Sequence, residues 1–349
     1  MGTTTSRRRV LGALGVGAFA FGLPGGRAVA QDATPEATQV SALPVELPSG
    51  GIQPDGTWAF TDDLGVTVTA DAAPTKVISH VGMAAALYDF GFEVVGYYNP
   101  ATDEDGNPLP IAGDLPLDRL THVGDYDEVD VELMVSLGAD LFIGQNYDVT
   151  QPTMWPFSEG VLEQIRAAVP VLSFAYGDGA MVLRNIESIE NLAAALGADV
   201  TLPEIAVDRE AFTTAAGELE TVLAEKDGLT ALFISASNTG FWIDSAGSAA
   251  TRYYRSLGMD IVPAEVAEVS WETFLEIKAD IIFLDDRAPG WWSAEQLVEG
   301  VPVWELHPAV KAGQVAPWRA QFISSYRGFA PVIEEVVEWV RVADTTIAE

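Results

Sequence analysis

Side chains that ligate metals or attack bonds are scarce in this 349-residue sequence, and side chains that stack are plentiful. It has no cysteine, which excludes thiol nucleophiles, disulfides and Cys-ligated metals. Its three histidines, His80, His122 and His307, stand far apart and cannot form a zinc or manganese cage unless carboxylates complete it. His80 alone follows a predicted strand, where one axial bond to haem or to an incomplete iron chelate is open to it. Asp103, Asp105, Asn107 and Asp114 imitate a calcium loop, but Pro108 occupies the place of the turn glycine and Asp114 that of the closing glutamate, so an acidic turn is expected. Asp244, Ser245, Ala246 and Gly247 make half of a nucleophile elbow, with Ile243 where its first glycine belongs, which argues against esterase chemistry. Gly12, Gly15 and Gly17 follow no strand and are not a dinucleotide loop.

What remains is a set of rings, amides and guanidiniums in loops after predicted strands. The first half supplies Ser79 and His80, then Tyr97, Tyr98 and Asn99, then Gln145, Asn146 and Tyr147, and finally Tyr176. The second half supplies Ser237, Asn238 and Trp242, then Arg287 with Trp291 and Trp292, then Trp318 and Arg319. Such a set stacks on flat groups and donates charge-assisted hydrogen bonds, which suits a large, partly aromatic, anionic chelate. With four lysines in the chain, arginine is the main cation, and Arg287 and Arg319 are the expected anion contacts, with Arg119 a weaker third.

The elements that position these residues follow a parallel α/β pattern. Short apolar runs predict strands near 76–79, 93–97, 140–144, 170–174, 230–235, 260–263, 280–285 and 302–304. Helical spacing predicts helices near 82–90, 131–137, 158–168, 181–196, 209–225 and 329–342. Before them, 57–70 alternates around Asp62, Asp63, Leu64 and Gly65, a strand pair with a short turn. The two halves repeat: Val131, Glu132 through Ala139, Asp140 aligns without a gap to Trp271, Glu272 through Ala279, Asp280, and Phe90, Gly91 matches Leu257, Gly258. The first half carries 27 more residues between its glycine stop and its Glu-helix, a loop around 97–123.

The start of the chain reads as an export address. Ser6, Arg7, Arg8, Arg9, Val10 and Leu11 form a twin-arginine signature, and Ala28, Val29 and Ala30 a cleavage site. The apolar run 10–23 falls short of the ~20 residues that span a bilayer. Residues 31–56 are expected to be a flexible linker. Cleavage after Ala30 leaves 14 basic against 51 acidic residues, a formal charge of −37, which repels nucleic acid and anionic lipid.

Several stretches together resemble the iron-siderophore and cobalamin class of periplasmic binding proteins that serve ABC importers. They are Thr61 to Gly65; Lys76 to Ser79; Phe90, Gly91 before Val94 to Gly96; Gly124 leading to Glu132 and Ala139, Asp140; and His307 to Val315. The resemblance covers about 57–342. It implies two Rossmann-like α/β lobes, 57–180 and 201–349, each with a central, mostly parallel sheet, joined by a single long α-helix over 181–200. It also implies a ligand cleft between the lobes, a ferric siderophore as ligand, and no resident cofactor or catalysis. Glu132 and Glu272, behind caps Asp130 and Ser270, fall where that family docks on arginines of the permease. A monomer outside the membrane is expected. Haem, cobalamin or another metal complex is the alternative cargo, and a secreted cofactor enzyme the alternative of another class.

Overall fold

Parallel strands require long crossovers, and the chain supplies helices for them. The computed structural model describes residues 46–148, 151–177, 180–244, 247–263, 268–287 and 290–348, so the export signal and the first part of the linker lie outside the described residues. Three antiparallel strands come first, β1 (Ser49–Ile52), β2 (Trp58–Thr61) and β3 (Thr67–Ala70). β1 falls inside the expected linker. Its composition looked flexible, yet the absent side chain of Gly50 is what lets the strand close on β2: a Cβ there would stand 2.1 Å from the Ala59 carbonyl oxygen.

The first lobe continues with β4 (Val77–His80), α1 (Val81–Asp89), β5 (Gly96–Tyr98), β6 (Thr121–His122), the hairpin β7 (Gly124–Asp125) and β8 (Glu128–Val129), α2 (Val131–Ser136), β9 (Leu141–Asn146), α3 (Glu159–Ala168) and β10 (Val171–Ala175). Its sheet is parallel throughout, in the order β10-β9-β4-β5-β6. Two helices lead onward, α4 (Val182–Ala195) and the 23-residue α5 (Pro203–Glu225). The expected rod 181–196 is α4; the longer α5, which starts on Pro203, is the one that feeds the next sheet.

The second lobe runs β11 (Thr230–Ala236), β12 (Gly240–Ile243), α6 (Ala249–Ser256), β13 (Asp260–Ile261), β14 (Glu268–Ser270), β15 (Ile281–Asp285), α7 (Ala294–Gly300), α8 (Pro308–Lys311), β16 (Val315–Trp318) and α9 (Tyr326–Val342). β16, β15, β11 and β13 are parallel, while β12 and β14 extend the sheet antiparallel. The strand expected at 302–304 does not form; Pro302 precedes a 3-10 turn over Trp304–Leu306, and the last strand is β16.

The internal repeat has a physical cause. In each lobe an aspartate ahead of a strand donates its backbone N–H to the neighbouring strand and accepts back through its carboxylate. The Asp140 N–H reaches the Lys76 carbonyl at 3.0 Å, and its carboxylate takes the Thr75 and Lys76 N–H groups at 2.9 Å. The Asp280 N–H reaches the Thr230 carbonyl at 2.9 Å, and its carboxylate takes the Thr230 N–H and hydroxyl at 2.8 Å. Gly91 and Gly258, at φ 87° and 102°, end α1 and α6 in the left-handed region, the stop that both halves share.

Strand alternation then sorts the core. Leu141, Ile143, Leu172 and Phe174 of one sheet and Ala231, Phe233, Ile281 and Phe283 of the other share a single apolar cluster with α1, α4, α5, α6 and α9. The opposite faces pack outward, Phe142 against α2 and α3 and Ile282 against α7.

Candidate functional site

A cleft of about 720 Å³ lies between the strand ends of the two sheets. One wall carries His80, Asn99, Tyr126 and Trp155; the other carries Arg287, Trp291 and Gln321. The rim is Asp103, Glu104 and Asp105, from the loop that only the first lobe possesses.

His80 ends β4 and caps α1, its Nδ1 accepting the Gly82 N–H at 3.1 Å. That bond places the ring proton on Nε2, the nitrogen left for the cleft. Burial pulls its pKa down to about 3, so the ring is neutral. A metal bond through Nε2 would require the proton to move to Nδ1, where it would oppose the Gly82 N–H. His307 caps α8 on Ala309 in the same manner, and His122 pairs with Asp125 at 2.8 Å; neither lines the cleft.

Asn99 and Tyr126 are the two non-glycine residues at positive φ among the described residues, at 72° and 50°. The Asn99 Oδ1 accepts the Tyr126 N–H at 2.8 Å, and the two form one fixed stretch of wall. Strain at a ligand-facing position persists only where surrounding bonds hold it. Trp155 is placed by the loop after β9: its backbone bridges Gln145, and the buried Asn146 amide donates to the Gln151 and Thr153 carbonyls at 2.9 Å. Trp155 faces His80, Tyr126 and Tyr147 at ring separations of 5.7–6.2 Å.

Tyr176 links the lobes, its hydroxyl accepting the Phe322 N–H at 3.2 Å and donating to the Phe322 carbonyl at 3.4 Å. Its ring stacks on Phe322 at 5.3 Å and meets Tyr147 edge-on at 5.5 Å. Burial pushes the Tyr176 phenol up to about 12 and raises that of Tyr147 as well, so both are neutral donors rather than phenolate ligands. Arg287 closes its fork on Asp285 at 2.5–3.0 Å, and that carboxylate is 1% exposed.

Of the ring and guanidinium residues named from sequence, the structure brings His80, Arg287 and Trp291 to the cleft, with Tyr147 and Tyr176 packed beside them. Trp242 sits against Trp291 at 5.1 Å. The others stand elsewhere. Tyr98 is fully buried and stacks on Phe142 at 5.1 Å, because on β5 it takes the face opposite to Tyr97. Tyr97 itself is buried against His122 at 5.2 Å. Trp318 points into the central core against Phe233, and Arg319 is held by Asp286 and Glu335. Arg119 pairs with Glu93 at 3.1 Å on the surface. Ser237 and Asn238 form the turn between β11 and β12, and Trp292 packs outward over Gly300. Among the described residues no three His, Cys, Asp or Glu side chains converge to hold a metal ion.

Sequence reasoning missed Tyr126, Trp155 and Gln321. Asn-Pro at 99–100 and Gly124 two residues before Tyr126 were the available signals, since both mark sharp chain reversals. Glu132 and Glu272 are exposed in the first turns behind their caps, Asp130 accepting the Leu133 N–H and Ser270 the Glu272 N–H. The second of these turns is 3-10 rather than α.

A model of the periplasmic binding protein family matches residues 69–322. Among solved structures, the chain is similar to DesE, a ferric-siderophore receptor protein from Streptomyces coelicolor, at 31% identity over 82% of this chain and 99% of that one, with a TM-score of 0.77. At the level of fold it is similar to SirA of Staphylococcus aureus, solved with staphyloferrin B, at 17% identity over 82% and 99% of the two chains and a TM-score of 0.60. A siderophore periplasmic binding protein from the fuscachelin gene cluster of Thermobifida fusca aligns at 20% identity over 77% and 97%, with a TM-score of 0.57. No curated protein matches the chain.

Proposed function

The chain belongs to the periplasmic binding protein family, and from that premise we propose that it captures an intact ferric siderophore or related iron chelate and delivers it to the permease of an ABC importer. The observation that carries this reading is the two-sided wall of the cleft, Trp155 and Tyr126 on one lobe and Trp291 and Arg287 on the other. Rings on both sides can enclose a large flat-faced ligand, while the polar groups between them fix its orientation.

The chelate is held whole. His80 is committed to Gly82 and the phenols of Tyr147 and Tyr176 keep their protons, so none of these groups is set to ligate the chelate's iron. The same geometry argues against an axial His80 bond to haem. Within this reading the protein binds without turnover, works as a monomer outside the membrane after twin-arginine export and cleavage behind Ala30, and meets its permease through Glu132 and Glu272. Two exposed acids on separate lobes can engage two basic pockets.

Titrating the purified protein with ferric chelates while following tryptophan fluorescence tests the proposal. Saturable quenching at one chelate per chain is the expected result. Silence across hydroxamate, catecholate, carboxylate and haem complexes would overturn it.

A further inference from the structure

We infer that a single internal water molecule is bound at the junction of the two lobes, held by Asn185 and Ser188 of α4. Its site shares no lining residue with the cleft, and it stands independently of what the cleft carries.

The buried stripe of α4 is apolar at Val182, Ile186, Ile189, Leu192 and Ala193, yet Asn185 and Ser188 are buried with it, at 6% and 1% exposure. Three positions apart on a helix, the two lie on one face. Among the described residues, neither the Asn185 Nδ2 nor the Ser188 Oγ has a hydrogen-bond partner in the protein. A polar group left dry in a core costs more than the bond it could make would return, and buried polar groups in native proteins are satisfied by the protein or by ordered water. Both residues line one cavity of about 10 Å³. An unsatisfied amide, an unsatisfied hydroxyl and a space beside both point to one occupant that accepts from the first and bonds the second.

Size and charge decide what that occupant is. The cavity has the room of one water-sized sphere, which excludes any larger molecule. Gln145 and Ser324, both buried, are the other uncharged polar residues of the lining, so a water there has the two to four partners it requires. Asp63 is the one charged residue of the lining, and its carboxylate already accepts the Ala175 N–H at 2.8 Å and the Arg184 guanidinium at 2.7 Å. An ion would find no free counter-charge to replace its hydration, whereas a neutral water needs none. Gln145 and Phe174 lie on β9 and β10 of the first lobe, and Ser324 precedes Ser325, the cap of α9 in the second. The water therefore sits where the first sheet, α4 and the chain entering α9 meet, behind the Tyr176 that bonds Phe322.

Oxygen-17 magnetic relaxation dispersion on the whole protein counts its long-lived internal waters. An Asn185→Leu, Ser188→Ala double variant should hold one fewer than the unaltered protein, and an equal count overturns the inference. Ser188→Ala alone gives a second reading, because its sign separates the two cases. With the water in place, alanine removes one of its partners and the urea midpoint should fall; with the hydroxyl dry, alanine relieves a buried polar group and the midpoint would hold or rise, which overturns the inference. A high-resolution crystal structure of the unaltered protein, which needs no variant to fold, should show a density peak within about 3.2 Å of both the Asn185 Nδ2 and the Ser188 Oγ. Density in which these two atoms bond protein groups instead overturns it as well.

Discussion

Replacing Asp89 by asparagine should make the protein more stable at neutral pH. Asp89 lies in the last turn of α1, and its carboxylate accepts the hydroxyl of Ser325, the residue that caps α9 by taking the Gly328 N–H at 2.9 Å. Burial, helped by Asp114 and Asp208 and opposed by Ser325 and Arg327, raises its pKa from 3.8 to about 6. The folded state therefore holds this proton more tightly than the unfolded chain. Below the unfolded value both states are protonated and nothing is lost; as pH climbs from there through about 6, the native state must ionise a partly buried acid and stability falls. At about 1.4 kcal/mol per unit, the shift corresponds to roughly 3 kcal/mol lost by neutral pH, an upper figure because the side chain keeps some contact with water. The asparagine amide keeps an oxygen for the Ser325 hydroxyl and never ionises. Urea unfolding at pH 4 and 7.5 is the measurement: the Asp89→Asn protein should gain about 1–3 kcal/mol at pH 7.5 and little at pH 4. A variant that is less stable at pH 7.5 than at pH 4, relative to the parent, would refute the argument.

Other expectations follow from individual bonds. Tyr176→Phe strands the buried Phe322 N–H and should cost about 1–2 kcal/mol in urea unfolding, with little change in cleft shape. Asp280→Ala frees both the Thr230 donors and the Ala348 N–H and should cost about 3 kcal/mol, more than Asp140→Ala, whose site is wetter. Asn99→Gly suits the positive φ but loses the bond to Tyr126, so chelate affinity should drop several-fold while the thermal midpoint moves by only a degree or two. Small-angle scattering curves of the free and chelate-loaded protein should superimpose, because one apolar cluster joins both sheets.

The fold was legible wherever the cause of structure is local. Gly91 and Gly258 announce helix ends because few other residues adopt their φ, and the Ala-Asp pairs at 139–140 and 279–280 recur because each clamps two adjacent strands. The Asp62–Gly65 turn was readable for the same reason, although its second task was not: the Asp62 and Asp63 carboxylates also accept the Ser173 and Ala175 N–H groups, more than a hundred residues away. β12 and β14 escaped because an antiparallel extension of a parallel sheet leaves no distinct period in so few residues. α5 starts at Pro203, six residues earlier than the spacing suggested, because a proline at the first helical position reads as a breaker unless the following turn is already recognised.

The site was legible in kind and only partly in membership. His80 at the end of β4 and Arg287 just after β15 line the cleft, since the end of a parallel strand is where such sheets expose side chains. Tyr98 and Trp318 were misplaced by phase: one residue along a strand changes the face, and both faces of these sheets are covered. Trp155 and Gln321 depend on how loops fold back, through bonds such as those of Asn146, that no local pattern encodes.

The cluster that runs from Trp58 to Ala343 leaves no cheap plane along which the two plates could part. Swinging them open would wet several large side chains, each worth about 1.5–3 kcal/mol. Glu132 and Glu272, on the outer edges of those plates, should therefore keep one separation with or without cargo. A partner that gripped both could not gauge loading from their distance and would have to read it at the mouth, where the acidic rim of the longer loop borders the cleft.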